Sequence, residues 1–306
     1  MRCPFIRTLS SEDCAKFFTQ RVVYMQYSSV DLHCHSTVSD GVFSPRVLAQ
    51  RAYANGVRLW SLTDHDEVGG QAEAQQAAQE LGMQYVTGIE ISVTWSGRTL
   101  HMVGLNYDAQ NAQLLAGLQR IRDERIGRAH KMAEKLATFG VENAYEGALA
   151  LAGNPELLSR THFARYMVDI GHCAHIQEVF DKYLADGKPA CVAGAWANLT
   201  EAVQWVTEAG GIAVIAHPGR YKYSDLEFCT LFSTFKDLGG QAIEVVTGSH
   251  SPKQYQQYAK VAQHYGFMAS CGSDFHSPEE NRIDLGGLPV LPEGLIPVWQ
   301  AWYDGR

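Results

Sequence analysis

A regular alternation of short apolar runs with helical stretches limits the folds open to this chain more than any other feature. The apolar runs lie at 30–35, 58–65, 83–92, 98–106, 211–218, 241–248 and 266–274. Helical patterns at 44–54 and 69–81 separate the first three runs, which predicts an α/β protein. Most runs end in polar residues or glycine, so polar side chains should collect at the carboxyl ends of the strands. In β/α barrels the loops at this end carry the chemistry, which favours an enzyme.

A long helical segment interrupts this alternation. Apolar residues from Leu118 to Leu136 recur near the 3.6-residue period, and the segment 157–171 has the pattern of a second helix. No repeat or linker marks an independent module, so the segment should be an insertion that covers the site as a lid or recognises substrate. We therefore predict an uninformative extension at 1–24, barrel segments at 25–107 and 193–306, and a helical insertion at 108–192.

The first 24 residues have neither the apolar core of a secretion signal nor the Arg/Ser bias of a transit peptide. We expect this extension to have no functional role. Met25 lies shortly before the first motif and is an alternative translation start, which the intact mass of the native protein would test.

The composition excludes several classes of function. No apolar stretch approaches the ~18 residues of a membrane helix, which predicts a soluble protein without a membrane partner. The net charge of -8 opposes extended binding to a nucleic-acid backbone, so an anionic substrate should be short and met by local positive charge. Seven scattered cysteines without a CxxC pair argue against disulfides and predict a cytoplasmic location. Nothing implies a stable protein partner.

Histidines and acidic residues at the predicted strand ends form a pattern typical of a metal centre. His33 and His35 lie two residues apart in a predicted strand, so both side chains project from one face. Asp274 and His276 have the same spacing after the last apolar run. The candidate ligands are His33, His35, Asp40, His65, Glu90, His101, His217, Asp274 and His276. Such ligands suit Mn, Zn or Fe, and nine suffice for two or three ions if Glu90 bridges.

Some of these residues, taken singly, have simpler explanations. Asp40 precedes Gly41 and could be a turn former, and His65 could be a solvated loop residue. A histidine inside an apolar stretch, such as His101, is more often a hydrogen-bonded core residue than a ligand. Because all nine lie at or near strand ends, coincidence explains the set poorly, and we predict a metal cluster.

The motifs DLHCHSTVSDG, LTDHD, GIEIS, AHPGR and GSDFH resemble, in this order, those of the PHP (polymerase and histidinol phosphatase) superfamily. With SRTHFAR and AHPGRY, the chain is similar more narrowly to the bacterial 3′,5′-nucleoside bisphosphate phosphatases, a group that includes the 5′-to-3′ exoribonuclease RNase AM. The resemblance covers the chain from about Val30 and implies a distorted (β/α)7-type barrel with a helical insertion. It also implies Mn as the usual metal. The implied ion sites are His33, His35, Glu90 and Asp274; Glu90, His101 and His217; and Asp40, His65 and His276.

A phosphoesterase of this kind would use water shared by two cations, which becomes hydroxide near neutral pH and attacks phosphorus. The leaving alkoxide needs a proton, for which Asp66 and the non-ligand histidine His162 are candidates.

A second phosphate on the substrate would need its own binding group. Guanidinium groups bind phosphate oxygens bidentately, which makes arginine the expected residue. The candidates are Arg125, Arg128, Arg160 and Arg220, with His162 in support. Arg125 and Arg128 could instead be solvated or pair with neighbouring acids on their own helix, such as Asp123 and Glu124.

These expectations lead to one primary function and three alternatives. The primary function is removal of the 3′-phosphate from nucleoside 3′,5′-bisphosphates by a metal-bridged hydroxide. The same protein could act as a 5′-to-3′ exoribonuclease that releases 5′-mononucleotides from short 5′-phosphorylated RNA. The last two are a histidinol-phosphate phosphatase and a non-catalytic PHP module, a class that usually has an incomplete ligand set.

Overall fold

The computed structural model describes residues 29–302, and the extension predicted at 1–24 lies outside this range. The strands are β1 (Val30–Asp31), β2 (Leu59–Trp60), β3 (Gln84–Tyr85), β4 (Gly88–Trp95), β5 (Arg98–Leu105), β6 (Ala197–Asn198), β7 (Ile212–Ile215), β8 (Ala242–Thr247) and β9 (Met268–Gly272). The helices are α1 (Pro45–Ala54), α2 (Gln71–Glu80), α3 (Ala112–Ala137), α4 (Ala144–Leu151), α5 (Arg160–Asp169), α6 (Ile176–Val179), α7 (Leu199–Glu208), α8 (Asp225–Asp237) and α9 (Pro252–Tyr265). The predicted α/β class is confirmed.

The strands form two sheets that meet at both sides. One sheet has the order β1-β2-β3 with parallel pairs, and the other has the order β6-β4-β5-β7-β8-β9. Isolated bridges join Cys34 to Phe275, after β1 and β9, and His65 to Glu90, between β2 and β4. The arrangement is consistent with the distorted barrel that the motifs imply.

Strand β5 departs from the expected parallel pattern, since it is antiparallel to both β4 and β7. The turn between β4 and β5 consists of Ser96 and Gly97, both with positive φ (48° and 74°), as two-residue hairpin turns require. The first half of β5 therefore lies beside the last half of β4, with His101 opposite Ser92. This reversal places His101 near the carboxyl ends of the parallel strands.

The segment predicted as an insertion, 108–192, has a hydrophobic cluster of its own, and α3 joins this cluster to the core that packs on the strands. Helix α3 begins after Asn111, whose side chain accepts hydrogen bonds from the first turn. Its first half contributes Leu114 and Leu118 to the barrel core, and its second half contributes Met132 and Leu136 to the insertion core. The boundary predicted at residue 108 thus precedes a helix that belongs to both units, and a continuous helix attaches the insertion.

Polar contacts also hold residues of the segment 108–192 against loops that follow the strands. The Arg165 guanidinium donates to both carboxylate oxygens of Glu280, at 2.6 and 2.9 Å. Ser159 Oγ donates to Asp40 Oδ2 at 2.9 Å, and Arg122 donates to the carbonyl oxygen of Asp66. These contacts hold the insertion above the strand ends. Within residues 29–302, no helix has both the length and the apolar character that crossing a bilayer requires.

Candidate metal centre and substrate cavity

The structure brings all nine predicted ligand residues together at one end of the strands. Their positions are His33, His35 and Asp40 after β1, His65 after β2, Glu90 on β4, His101 on β5, His217 after β7, and Asp274 and His276 after β9. Their side chains form three overlapping groups, and within each group the potential ligand atoms lie within 4.8 Å of one another. The groups are His33, Glu90, His217 and Asp274; His65, Glu90 and His101; and His35, Asp40, His65 and His276.

Glu90 lies at the centre of this cluster and is fully buried. Its Oε1 atom is 2.9 Å from His217 Nε2, 3.0 Å from His101 Nδ1 and 3.3 Å from His33 Nε2. Its Oε2 atom is 2.9 Å from His65 Nδ1 and 3.3 Å from His35 Nε2. One carboxylate therefore contacts five imidazoles, as a ligand that bridges two cations would.

The grouping differs in detail from the one that the sequence motifs imply. His217 joins the group of His33 and Asp274, and His35 joins that of Asp40. His35 nevertheless stays near its expected partners, since its Nε2 atom is 3.3 Å from Asp274 Oδ1. It lies between two groups, so proximity alone does not divide the ligands among ions.

Several buried polar atoms in the cluster have no hydrogen-bond partner among the described residues. These are Asp40 Oδ1, His65 Nδ1, Glu90 Oε2 and His101 Nδ1. An unpaired buried polar group costs about 1–3 kcal/mol, and more if it is charged. Cations placed between these atoms would satisfy them together. The donor set thus fits divalent metal ions on geometric grounds.

Burial controls the protonation of two of the imidazoles. It lowers the pKa of both His65 and His217 to about 4. Burial would raise the pKa of Glu90, but the charges of His101 and His33 overcome it and hold that pKa well below its ordinary value. Metal ligation needs neutral imidazole and ionised carboxylate, which are the states that the shifts of His65, His217 and Glu90 favour. The carboxylates of Asp274 and Glu90, by contrast, overcome the effect of burial and raise the pKa of His35 to about 10.

A cavity of about 110 Å³ opens above the cluster and has arginines in its wall. The ligand residues form one side, and Arg125, Arg128, Arg160 and Arg220 line the rest with Trp196. All four arginines predicted to bind substrate therefore face one cavity with the candidate metal ligands. A larger lobe of about 340 Å³ adjoins it.

Arg125 and Arg128 differ in how their charges are balanced. Arg125 Nε donates to Asp66 Oδ2 at 3.0 Å, and its Nη2 atom donates to that oxygen and to Ser92 Oγ. Arg128 donates through Nε to the carbonyl oxygen of Val192 and forms no ion pair within the described part of the chain. Neither pairs with Asp123 or Glu124, the alternative partners on their own helix.

Arg128 has no carboxylate in ion-pair contact among residues 29–302. Its side chain is buried, and burial, together with the charges of Arg160 and Arg125, lowers its pKa to about 9. The guanidinium groups of Arg125 and Arg128 lie over the Trp196 ring, 4.8 and 5.2 Å from its centroid. A bound phosphate would supply the missing negative charge. The geometry is therefore compatible with an anion bound beside the metal-ligand cluster.

Arg160 and Arg220 are held less firmly than Arg125, because solvent reaches their ion pairs. Arg160 pairs with Asp186 at 2.9 Å, but the Asp186 side chain is 64% exposed, so solvent weakens this pair. Arg220 donates to Asp274 Oδ2 at 2.7 Å and is half exposed. Both guanidinium groups can redirect hydrogen bonds to a ligand in the cavity.

Comparison with known proteins identifies the family. The PHP domain model matches residues 31–225, which is more than half of the chain. This chain belongs to the PHP domain family. It is 44% identical to a 3′,5′-nucleoside bisphosphate phosphatase of Chromobacterium violaceum, over 89% of this chain and 96% of the relative. It is 43% identical to a 5′-3′ exoribonuclease of Haemophilus influenzae, over 89% of this chain and 98% of that protein.

A solved structure shows the same fold. An amidohydrolase from C. violaceum, with bound sulfate and no metal, superposes with a TM-score of 0.87 at 44% identity. The match covers 90% of this chain and 96% of the solved chain. The likeness therefore includes most of residues 108–192, a segment too long to lie within the uncovered tenth of the chain.

Strand β8 of this PHP domain contributes a site residue that the sequence analysis missed. Glu244 Oε1 lies 2.8 Å from His33 Nδ1, and its Oε2 atom accepts the backbone N–H of His217 at 2.6 Å. The carboxylate thus orients two candidate ligands from different strands. An acidic residue within the apolar run 241–248 was the available signal, because a buried acid needs partners.

We expect Glu244→Gln to weaken metal binding about 10- to 100-fold, in the range typical of groups that orient metal ligands. The amide has one acceptor oxygen and one donor nitrogen, so it cannot accept from both His33 and His217. Metal affinity should be measured by titration of the metal-free protein. Glu293→Gln, at an exposed glutamate, is the matched control. An unchanged affinity in Glu244→Gln would remove this residue from the site.

The two predicted proton donors, Asp66 and His162, both form hydrogen bonds within the protein. Asp66 Oδ1 accepts from Ser92 N, and its Oδ2 atom accepts from Ser92 Oγ and Arg125. His162 Nδ1 accepts from the backbone N–H of Ser159 and so caps the start of α5. Burial lowers the pKa of His162 to about 4, and neither Asp66 nor His162 lines the cavity. The proton-donor role of either residue stays a prediction.

Proposed function

We propose that this PHP domain removes the 3′-phosphate from nucleoside 3′,5′-bisphosphates. The proposal rests on two features that occur together in one cavity. The metal-ligand cluster suits a scissile phosphate, and the uncompensated charge of Arg128, next to Arg160, suits a second phosphate. The name of the C. violaceum relative and the sulfate bound to the solved C. violaceum structure are consistent with this assignment.

We propose two or three divalent ions, with Mn as the metal and Zn or Fe as alternatives. Glu90 would be the bridging ligand, with His33, His217 and Asp274 on one side and His65 and His101 on the other. A third ion would be held by His35, Asp40, His65 and His276. Bound ions of this kind neutralise phosphoryl oxygens and make a water molecule more acidic. The mixture of carboxylate and imidazole suits these metals better than Mg or Ca.

The protein's own residues position the substrate. Arg128 and Arg160 would grip the terminal 5′-phosphate, and Asp66 and Ser92 would hold Arg125 against Trp196 beside them. This grip fixes the distance between the 5′-phosphate and the 3′-phosphate at the cluster. A water oxygen then bonds to phosphorus, the bond from phosphorus to O3′ breaks, and O3′ gains a proton. The products are inorganic phosphate and a nucleoside 5′-monophosphate.

The second candidate function is 5′-to-3′ exoribonuclease activity on short 5′-phosphorylated RNA. The same bond to O3′ would break, and the phosphate would remain on the shortened chain. The lobe of about 340 Å³ next to the cavity, and the name of the H. influenzae relative, favour this activity. The two activities need only one site.

Histidinol-phosphate hydrolysis and a non-catalytic role fit the site less well. Histidinol phosphate has a single phosphate, so it would leave the pocket at Arg128 without an anion. A non-catalytic module is disfavoured because all nine potential ligands converge and leave buried atoms unpaired.

We further propose that the enzyme works in the cytoplasm without a stable protein partner. Five cysteines in the described part of the chain are free, which suits a reducing compartment. Two of them, Cys34 and Cys271, are buried and close to the metal-ligand cluster in sequence.

With Mn present, we expect the purified protein to release phosphate from adenosine 3′,5′-bisphosphate and to leave adenosine 5′-monophosphate. EDTA should abolish the activity, and added Mn should restore it, because the ligand set requires cations. Phosphate release and nucleotide identity can be followed by chromatography. Equal rates on adenosine 3′-monophosphate, which lacks the 5′-phosphate, would reject the proposed anion pocket.

A further inference from the structure

The lobe of about 340 Å³, which we call the outer lobe, begins at the metal-ligand cluster and leads to the protein surface. His101 and His217 line its inner end, so it meets the cluster directly. Lys222, which is exposed, lies on its rim. Arg125, Arg128 and Trp196 line only the smaller cavity. The smaller cavity and the outer lobe thus both begin at the cluster, but the residues that line them farther from the cluster differ.

Cationic side chains outnumber acidic ones in the lining of the outer lobe, although the whole chain has a net charge of -8. The lining includes Arg98, Arg160, Arg220 and Lys222 but only one acid, Asp186. Asp186 pairs with Arg160 at 2.9 Å. Arg98 and Arg220 pair with Glu227 and Asp274, which lie outside the lining. Within residues 29–302, Lys222 forms no ion pair. The lobe therefore presents a local site for an anion.

Aromatic rings accompany these charges. The ring centroids of Tyr221 and Tyr223 lie 5.6 Å apart, and the Arg98 guanidinium lies 5.0 Å from the centroid of Tyr223. Arg98 is fixed there by Glu227 at 2.8 Å and by the carbonyl oxygen of Lys222 at 2.7 Å. Aromatic and guanidinium planes beside a cationic groove are the features that bind single-stranded nucleic acid.

We propose that the outer lobe binds the nucleotide on the 3′ side of the scissile phosphate in a 5′-phosphorylated RNA. The inference rests on the proposed function, since it requires the 5′-phosphate at Arg128 and the scissile phosphate at the metal-ligand cluster. In RNA the scissile phosphate is also esterified to the next nucleotide. That nucleotide must extend from the cluster in a direction away from the pocket at Arg128. The outer lobe provides that path past His101 and His217. Lys222 and Arg98 contact the next phosphate, and Tyr223 contacts the base.

A nucleoside bisphosphate has no nucleotide at this position. Substitutions in the outer lobe therefore change the preference between RNA and bisphosphate, whereas substitutions at Arg128 affect both substrates. The competing occupant is the base of the bisphosphate itself, which would make the two substrates equally sensitive to outer-lobe substitutions.

The test compares kcat/KM for a 5′-phosphorylated pentaribonucleotide with kcat/KM for adenosine 3′,5′-bisphosphate, both with Mn. For Lys222→Glu we expect the ratio of RNA to bisphosphate to fall about tenfold, and for Lys222→Arg to stay near the wild-type ratio. The logarithmic salt dependence for RNA should also lose about 0.7 in slope for each phosphate contact removed. Tyr223→Leu, which keeps apolar bulk, should lower the ratio as well. Lys253→Glu, at an exposed lysine on α9, is the control and should leave the ratio unchanged.

Three results would overturn the inference. In the first, the ratio is unchanged in both Lys222→Glu and Tyr223→Leu. In the second, both substrates lose equal activity, which would place the base of the bisphosphate in the lobe. In the third, the wild type hydrolyses the bisphosphate but not the RNA, which leaves the proposed function intact. A wild type that acts on neither substrate rejects the proposed function and this inference together.

Discussion

Replacement of Glu90 by glutamine should remove bound metal and lower kcat/KM for the bisphosphate by at least about a thousandfold, because catalytic metal ions contribute several kcal/mol. Glu90 contacts the imidazoles of His33, His35, His65, His101 and His217. Glutamine has nearly the same shape but lacks the negative charge that two cations would share. Elemental analysis of the purified variant measures the first effect, and steady-state kinetics measures the second.

The control for this experiment must separate a lost ligand from a lost fold. Circular dichroism should show the wild-type helix content in Glu90→Gln, since the substitution keeps the side-chain volume. Glu134→Gln, at an exposed position on α3, should keep both metal and activity. If Glu90→Gln retained the full metal content and turnover, the proposed metal centre would be wrong.

The sequence predicts the position of the site because strand ends and site residues coincide. His33 and His35 follow the first apolar run, and Asp274 and His276 follow the last. The bridge between Cys34 and Phe275 brings these two segments side by side. Apolar runs mark where strands end, and barrel geometry collects those ends, so convergence follows from pattern alone.

The direction of β5 was not predicted, although a local signal exists. The Ser96–Gly97 connection is too short for a parallel crossover, which needs a dozen or more residues. Alternation of apolar runs reports where strands lie but not how neighbouring strands pair. His101 reaches the site only because β5 reverses direction.

Long-range partners were beyond prediction for a different reason. Helical spacing suggested Asp123 and Glu124 as partners of Arg125, but the carboxylate that pairs with it is Asp66, 59 residues away. Glu244 contacts His33 at a separation of 211 residues. No period in the sequence encodes such pairs, which depend on tertiary packing.

Backbone strain at the site could not be predicted from the sequence either. Asp66, His217 and Asp274 have positive φ values of 52°, 28° and 56°. Such conformations cost about 1–3 kcal/mol each and persist where the surrounding structure fixes them. Glu244 holds the backbone N–H of His217, and the carbonyl oxygen of His33 accepts the N–H of Asp274 at 2.7 Å. These hydrogen bonds thus stabilise the backbone geometry that directs the His217 and Asp274 side chains toward the metal-ligand cluster.

Arg128→Ala should lower kcat/KM for adenosine 3′,5′-bisphosphate about fiftyfold relative to kcat/KM for 4-nitrophenyl phosphate, with most of the change in KM. Charge-assisted hydrogen bonds contribute about 1.5–3 kcal/mol, which corresponds to roughly ten- to a hundredfold. The generic ester has one phosphate and makes no use of the pocket at Arg128. The comparison therefore isolates recognition of the second phosphate from the chemistry at the metal-ligand cluster.

The same helix provides the control. Arg120 lies on α3 but is exposed and pairs with Glu201, so Arg120→Ala should leave the ratio of the two substrates unchanged. Arg125→Ala would leave Asp66 buried without its guanidinium partner, so we expect it to lower stability as well as activity. Arg128 has no carboxylate partner to lose within residues 29–302, so its removal leaves no buried acid unpaired, although it also removes the hydrogen bond to the Val192 carbonyl and the contact with Trp196. The ratio of the two substrates corrects for any general loss of activity from these contacts. Equal losses on both substrates in Arg128→Ala would mean that Arg128 supports the metal site instead, and the second phosphate would need another binding group.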